Sequence, residues 1–196
     1  MTIIRDATSG TAAHVDENQD LHTFSITETE LQAANTKGNA YNINTGLVAL
    51  TGSSASAMLY FKNGEDTDYV IDGLVVFMGQ RSATVTDFGL ATVTWNPTGG
   101  DIISDATAVD YKSNSNGGSS NVLGNDSLVY KGKDGGTLTG GVGLAIIGLA
   151  EGRNQFPIPM EVPKGTSMGV TIDLNTSGGA NVYIALIGYL KDAKDV

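Results

Sequence analysis

Phe156-Pro-Ile-Pro-Met-Glu-Val-Pro163 is the stretch that decides the fold. Phe156, Ile158, Met160 and Val162 share one parity, and Pro157, Pro159 and Pro163 share the other. Apolar side chains at period two make a strand with one apolar face. Backbone N–H groups also alternate sideways along a strand, so prolines of a single parity remove donors from one lateral side only. The pattern predicts an edge strand that pairs on one side and is blunted on the other. Three of the chain's four prolines stand here, so the blunting is concentrated at one place.

Outward from it, Pro163-Lys-Gly165 turns the chain, and Met168, Val170, Ile172 and Leu174 alternate with Gly169, Thr171 and Asp173 as a second one-sided strand. Gly178-Gly179 turns again into Val182–Leu190, apolar throughout and expected at the centre of a sheet. On the N-terminal side, Tyr69–Met78 reads as a strand covered on both faces, and Ala91, Val93 and Trp95 as a half-buried strand whose tryptophan faces the core. Val142–Ala150 is a further apolar, strand-like window. Leu21–Ile26, Tyr41–Leu50 and Met58–Phe61 complete the main set, and Asn63-Gly64 is a tight-turn dipeptide. Thr27-Glu-Thr-Glu30 fits a capping box for a single helical turn through Leu31–Asn35. Residues 112–121 are Ser, Asn and Gly behind one Lys, which predicts an exposed, mobile loop. Double glycines recur 18 residues apart at 99/100, 117/118 and 135/136, but the stretches between share no pattern, so they mark turns rather than a repeat array.

Eight to ten strands at turn-punctuated intervals predict an all-β, antiparallel two-sheet sandwich of jelly-roll type. Residues 1–20 have no aromatic and no sustained period, so they read as an extended N-terminal arm before a β-sandwich domain at 21–190 and a short charged tail at 191–196.

A chain of 196 residues is long enough for one domain with a real core. It has no cysteine, which excludes a disulfide framework, a thiolate metal site and a cysteine nucleophile. Its 11 Lys+Arg against 21 Asp+Glu leave a net charge of −10, and this repels a phosphate backbone, so nucleic acid is not an expected partner. Half of that charge lies in residues 1–30, where six acids face only Arg5. No window approaches the ~20 apolar residues of a spanning helix, and the first residues do not read as a signal peptide.

The chemistry-bearing motifs reduce to structural ones. Gly165-Thr-Ser167-Met-Gly169 matches the nucleophile-elbow spacing, but a strand follows the serine and the only histidines, His14 and His22, lie near the N-terminus. His14, Asp16, Glu17, Asp20 and His22 lie on a stretch without rigid elements and read as exposed polar residues, not metal ligands. Asn63-Gly-Glu-Asp-Thr-Asp68 departs from the calcium-loop pattern and reads as a solvated hairpin tip. Gly140-Gly-Val-Gly143 lacks the strand–turn–helix order of a dinucleotide fingerprint. With no nucleophile–base pair or paired acids, the expectation is a protein that is not an enzyme and needs no cofactor. A β-sandwich also raises carbohydrate binding, for which Tyr111 and Tyr130 beside polar loops are the expected platform.

Thr2-Ile-Ile-Arg-Asp-Ala-Thr8, Ala13-His-Val-Asp-Glu-Asn18 and Leu21-His-Thr-Phe-Ser-Ile26 resemble the opening of small tailed-phage virion proteins. Phe156 to Gly169 and Gly179-Ala-Asn-Val-Tyr-Ile-Ala-Leu-Ile-Gly-Tyr189 resemble their closing strands. The resemblance covers both ends and implies a jelly-roll decoration or cement protein on the capsid exterior, made in the host cytoplasm. It implies a homo-oligomer, a trimer above all, with the major capsid protein as partner. The arm is then the expected contact, through Ile3, Ile4, Arg5 and Val15. A tail or baseplate module that binds a receptor is the alternative within the same particle.

Overall fold

The computed structural model describes residues 14–15, 21–22, 28–52, 54–79, 89–97, 106–109, 111–124, 127–175 and 178–191. In chain order these form β1 (His14–Val15), β2 (Leu21–His22), α1 (Glu30–Lys37), β3 (Ala40–Asn44), β4 (Val48–Leu50), β5 (Ser56–Lys62), β6 (Tyr69–Met78) and β7 (Gly89–Asn96). Then come β8 (Thr107–Ala108), β9 (Tyr111–Asn114), β10 (Leu128–Lys131), β11 (Val142–Leu149), β12 (Gly152–Val162), β13 (Ser167–Asp173) and β14 (Ala180–Leu190).

The protein is an all-β sandwich of two antiparallel sheets. One runs β12-β6-β14-β3-β9, with β4 also on β14; the other runs β11-β7-β13-β5-β10-β8. Eight strands carry the topology: β3, β5, β6, β7, β11, β12, β13 and β14. Within this set the first pairs with the last, the second with the seventh, the third with the sixth and the fourth with the fifth. A long hairpin wound round a barrel gives that order, which is the jelly roll. Residues 97–141, at the hairpin's tip, supply β8, β9 and β10, which extend both sheets on the side away from β11 and β12.

The sequence explains the placement. β12 lies at a sheet edge as its prolines require, with Phe156, Ile158 and Met160 half-buried and Val162 fully buried while Pro157 and Glu161 are exposed. Its ladder to β6 breaks between Pro157 and Met160. The apolar β14 is central, and β6 spans the predicted Tyr69–Met78 with buried residues on both faces. The inner faces meet in one core that includes Ile43, Leu59, Phe61, Tyr69, Leu74, Val93, Val170 and Ile184. Trp95, expected in the core, is only half-buried.

Four local expectations are corrected. Tyr41–Leu50 is two strands: Asn44 Oδ1 accepts from Gly46 N at 2.7 Å, and this side-chain turn interrupts the ladder. The capping box is Thr29 with Gln32, two residues later than Thr27–Glu30, and it starts two turns of helix rather than one. Asn63 is not at a hairpin tip, because β5 and β6 belong to different sheets. It is fully buried and donates to Thr67 O at 2.9 Å and Val162 O at 2.8 Å, tying the β5–β6 crossing to the β12–β13 crossing. Finally, residues 112–121 are not a loose loop. Asn114 and Asn121 side chains donate to Gly38 O and the Asn116 side chain to Asn35 O, so the asparagines close the C-terminus of α1. Gly38, left-handed at φ 76°, lies so close to Ser119 that a Cβ there would meet its Oγ at 2.2 Å.

Candidate functional site

β11 and β12 lie at the same side of the sandwich, joined through residues 150–151, and each is the terminal strand of its sheet. β11 alternates along its C-terminal half. Ala145, Ile147 and Leu149 turn inward, and Leu149 is fully buried. Val142, Leu144 and Ile146 are 61%, 50% and 72% exposed. Leu144 falls where the ladder to β7 slips, between Gly143 and Ala145, and a bulge of this kind re-aims side chains. By this register Ile146 and Leu90, the latter opposite Gly148, share the outer face. Val142, opposite Trp95, is on the side of Ala145 and Ile147 at the exposed start of the strand. No residue from Val142 to Ala150 is charged, and none is proline.

Exposed aliphatic side chains on a sheet edge with neither proline nor charge depart from the way natural sequences blunt such edges. The sequence offered one signal for it: glycines at 143 and 148 inside an apolar run, which mark bulges and open backbone rather than a doubly buried strand.

Of the expected arm residues, Ile3, Ile4 and Arg5 lie outside the described residues. Val15 is in β1, where its backbone pairs with Leu21 of β2, and the same ladder sets His14 opposite His22. The body anchors the chain just after this stretch. Tyr189 donates a hydrogen bond to the Glu30 carboxylate at the start of α1, and Leu31 and Val70 pack against the small cluster of Ala34, Ala40 and Tyr189. Burial, and then the Glu30 carboxylate, push the Tyr189 hydroxyl well above the usual tyrosine range.

A second feature lies on the outer face of the β6–β14–β3 sheet. Phe77 and Tyr183 are directly opposite each other, with ring centroids 5.2 Å apart and planes 13° from parallel. Beside Tyr183 is an open groove of about 360 Å³ lined by Asn42, Asn44, Gly46, Leu47, Ser113 and Tyr183. The expected aromatic platform is elsewhere and takes a different form. Tyr130 is half-buried with Tyr60 at 6.3 Å, and the side chain of Tyr111 lies outside what the structure describes.

The remaining motifs are structural. Ser167 is 1% exposed and lies in a central strand, paired to both β5 and β7. Gly165 makes the preceding turn at φ 80°. Gly140 and Gly141, at φ 73° and 93°, lead into β11, not into a helix. In the Asn63–Asp68 loop, Lys164 holds Asp66 at 2.5 Å and Ser127 donates to Glu65 at 2.7 Å. Asp134 accepts from the Thr51 hydroxyl and amide, which hold its carboxyl below the usual range. No family model, curated protein or solved structure matches the chain.

Proposed function

We propose that this chain is a non-enzymatic structural protein of a tailed-phage virion, a decoration protein that seats on the outer surface of the major capsid shell and stabilises it. The observation that carries this is the bare apolar edge of β11, in a jelly-roll body whose neighbouring edge is guarded. Adhesion of this kind needs a rigid scaffold, a strip that gains by leaving water, and an acidic remainder that keeps copies from clumping. The resemblance of both chain ends to phage virion proteins supplies the partner, the major capsid protein, and a homotrimeric state.

The arm adds reach. Ile3, Ile4, Arg5 and Val15 give a neighbouring subunit two adjacent aliphatic side chains, a cation and a further apolar contact. A contact made by so few side chains contributes modestly per site. Many copies on one shell multiply that contribution through avidity.

The test is reconstitution on shells stripped of their decoration. Full-length protein is expected to saturate the shells and raise the temperature at which they open, and deletion of residues 1–20 is expected to leave a folded body with much reduced occupancy. Density for many copies on the head in electron microscopy supports the assignment. A few copies at the tail tip, or truncated protein that still saturates the shell, overturns the head assignment or the arm's role respectively.

A further inference from the structure

We infer that the groove beside Tyr183 is a binding site for a neutral oligosaccharide. The inference is independent of how the protein attaches to a shell, because the groove is on the outer face of the β14-containing sheet and the apolar strip is on the edge strand of the other sheet.

The groove follows from the register. Ile43, Val182 and Ile184 point into the core, so Asn42, Asn44 and Tyr183 point outward. Asn42 is opposite Ile187 and Asn44 opposite Ala185, which sets the two amides on one strand about 7 Å apart, the spacing of same-face neighbours. Asn44 is oriented by the 2.7 Å bond that its Oδ1 accepts from Gly46 N, which leaves its amide donors turned from that turn. Ser113 is opposite Asn42 on β9 and brings a hydroxyl to the same side. One flank of Tyr183 is stacked on Phe77, so the ring is braced where it lines the groove.

The chemistry selects the ligand class. An aromatic ring takes the C–H face of a pyranose, while the amides offer donors and acceptors and the Ser113 oxygen, whose hydrogen is on Asn42 O, offers an acceptor to its ring of hydroxyls. None of the six lining residues carries a charge, in a chain of net charge −10. An anionic ligand finds no cation in that lining and meets the repulsion of the whole molecule, and a cationic one finds no carboxylate there. An open groove of about 360 Å³ lets a sugar chain run beyond the lining residues, whereas a single small metabolite is better held by a closed pocket.

The experiment titrates the full chain, followed by amide and side-chain NMR, with mannohexaose, cellohexaose and N-acetylchitohexaose, and with a heparin hexasaccharide as the anionic control. At least one neutral hexasaccharide is expected to shift the Asn42 and Asn44 side-chain amides in a saturable manner, while heparin does not. Tyr183→Ala is expected to weaken that binding about tenfold, and Tyr183→Phe to hold it within about threefold. Asn42→Ala, at an exposed position, tests the site without disturbing the Phe77 stack and is expected to weaken binding severalfold. Silence with all three neutral sugars, shifts that map elsewhere, preference for heparin, or unchanged binding by both the Tyr183→Ala and Asn42→Ala variants overturns the inference.

Discussion

Two edge strands meet at one side of this sandwich, and the sequence treats them in opposite ways. β12 carries prolines at 157 and 159, with a third just beyond it at 163, and exposes Arg153, Gln155 and Glu161. β11, reached through two residues, has neither a proline nor a charge and exposes Val142, Leu144 and Ile146. Exposed sheet edges template unwanted pairing, and natural sequences blunt them with proline and charge. The blunted edge is therefore the one that must stay alone. The edge beside it carries neither device, which is why the proposed function seats the partner there.

The contrast can be broken first within β11 itself. Leu149→Ala removes a fully buried side chain from the core and is expected to cost about 3 kcal/mol in urea unfolding. Ile146→Ser, three residues earlier but facing out, is expected to stay within about 0.5 kcal/mol. Equal losses would mean that Ile146 supports this chain rather than a contact outside it.

Next in size is the contact. Leu144→Lys and Ile146→Lys place charge in the strip, and each is expected to weaken occupancy of stripped shells by about 2 kcal/mol, the scale of an interface hot spot, with unfolding unchanged. Full occupancy by the double variant would remove β11 from the adhesion surface. The opposite manipulation sharpens the point. Pro157→Thr with Pro159→Thr restores two N–H donors to β12 and is expected to make the protein self-associate with rising concentration in light scattering. The accompanying stability loss is expected near 1 kcal/mol, through the greater freedom of the unfolded chain. A double variant that stays monodisperse would show that the prolines do not guard the edge.

Much of this was legible in the residues. The proline parity placed β12 at an edge, and the nearly all-apolar run of β6 and the apolar run Val182–Leu190 of β14 placed them inside a sheet. The same rule is silent about β11, because an apolar run states what a strand avoids, not whether the chain supplies its cover. Val142–Leu149 and Val182–Leu190 read alike, yet one is an edge and the other is central. The jelly-roll pairing explains the difference: β11 is the return strand at the hairpin's tip, and the residues that could have flanked it were spent on the opposite side as β8, β9 and β10. Polar side chains misled in the other direction. Asn63 and the asparagines of 112–121 look like solvent-facing turn residues, because a side-chain amide suits water and a buried carbonyl equally. Only tertiary contact decides between these, as it does for Asn63 between two sheet crossings and for Asn114 and Asn121 at Gly38. The groove residues Asn42, Asn44 and Tyr183 were equally hidden, since their common face depends on the register of β3 against β14.

The smallest expected effect concerns the charge on the guarded edge. Glu161, opposite Val70 near the end of β12, accepts from Lys191 Nζ at 2.5 Å just past the end of β14. The hydrogen bond to Glu161 is the main influence raising the Lys191 ammonium above the ordinary lysine value, with Asp68 and Glu30 adding to it. A raised pKa means that the folded state holds the proton more tightly. The stabilisation is thus complete below the ordinary lysine value and fades only as pH climbs through the raised one. Neutral and acidic conditions down to the carboxylate range leave the pair intact. Glu161→Gln is expected to lower the Lys191 titration midpoint part of the way, because Asp68 and Glu30 remain, and to leave the unfolding midpoint at pH 7 nearly unchanged, as for exposed ion pairs in general. Titration of the lysine Cε signals reads both outcomes. If Lys191 titrates together with the other lysines in the unmodified chain, the pair does not persist in solution, and the guarding of β12 rests on its prolines and on exposed charges such as Arg153 and Glu161.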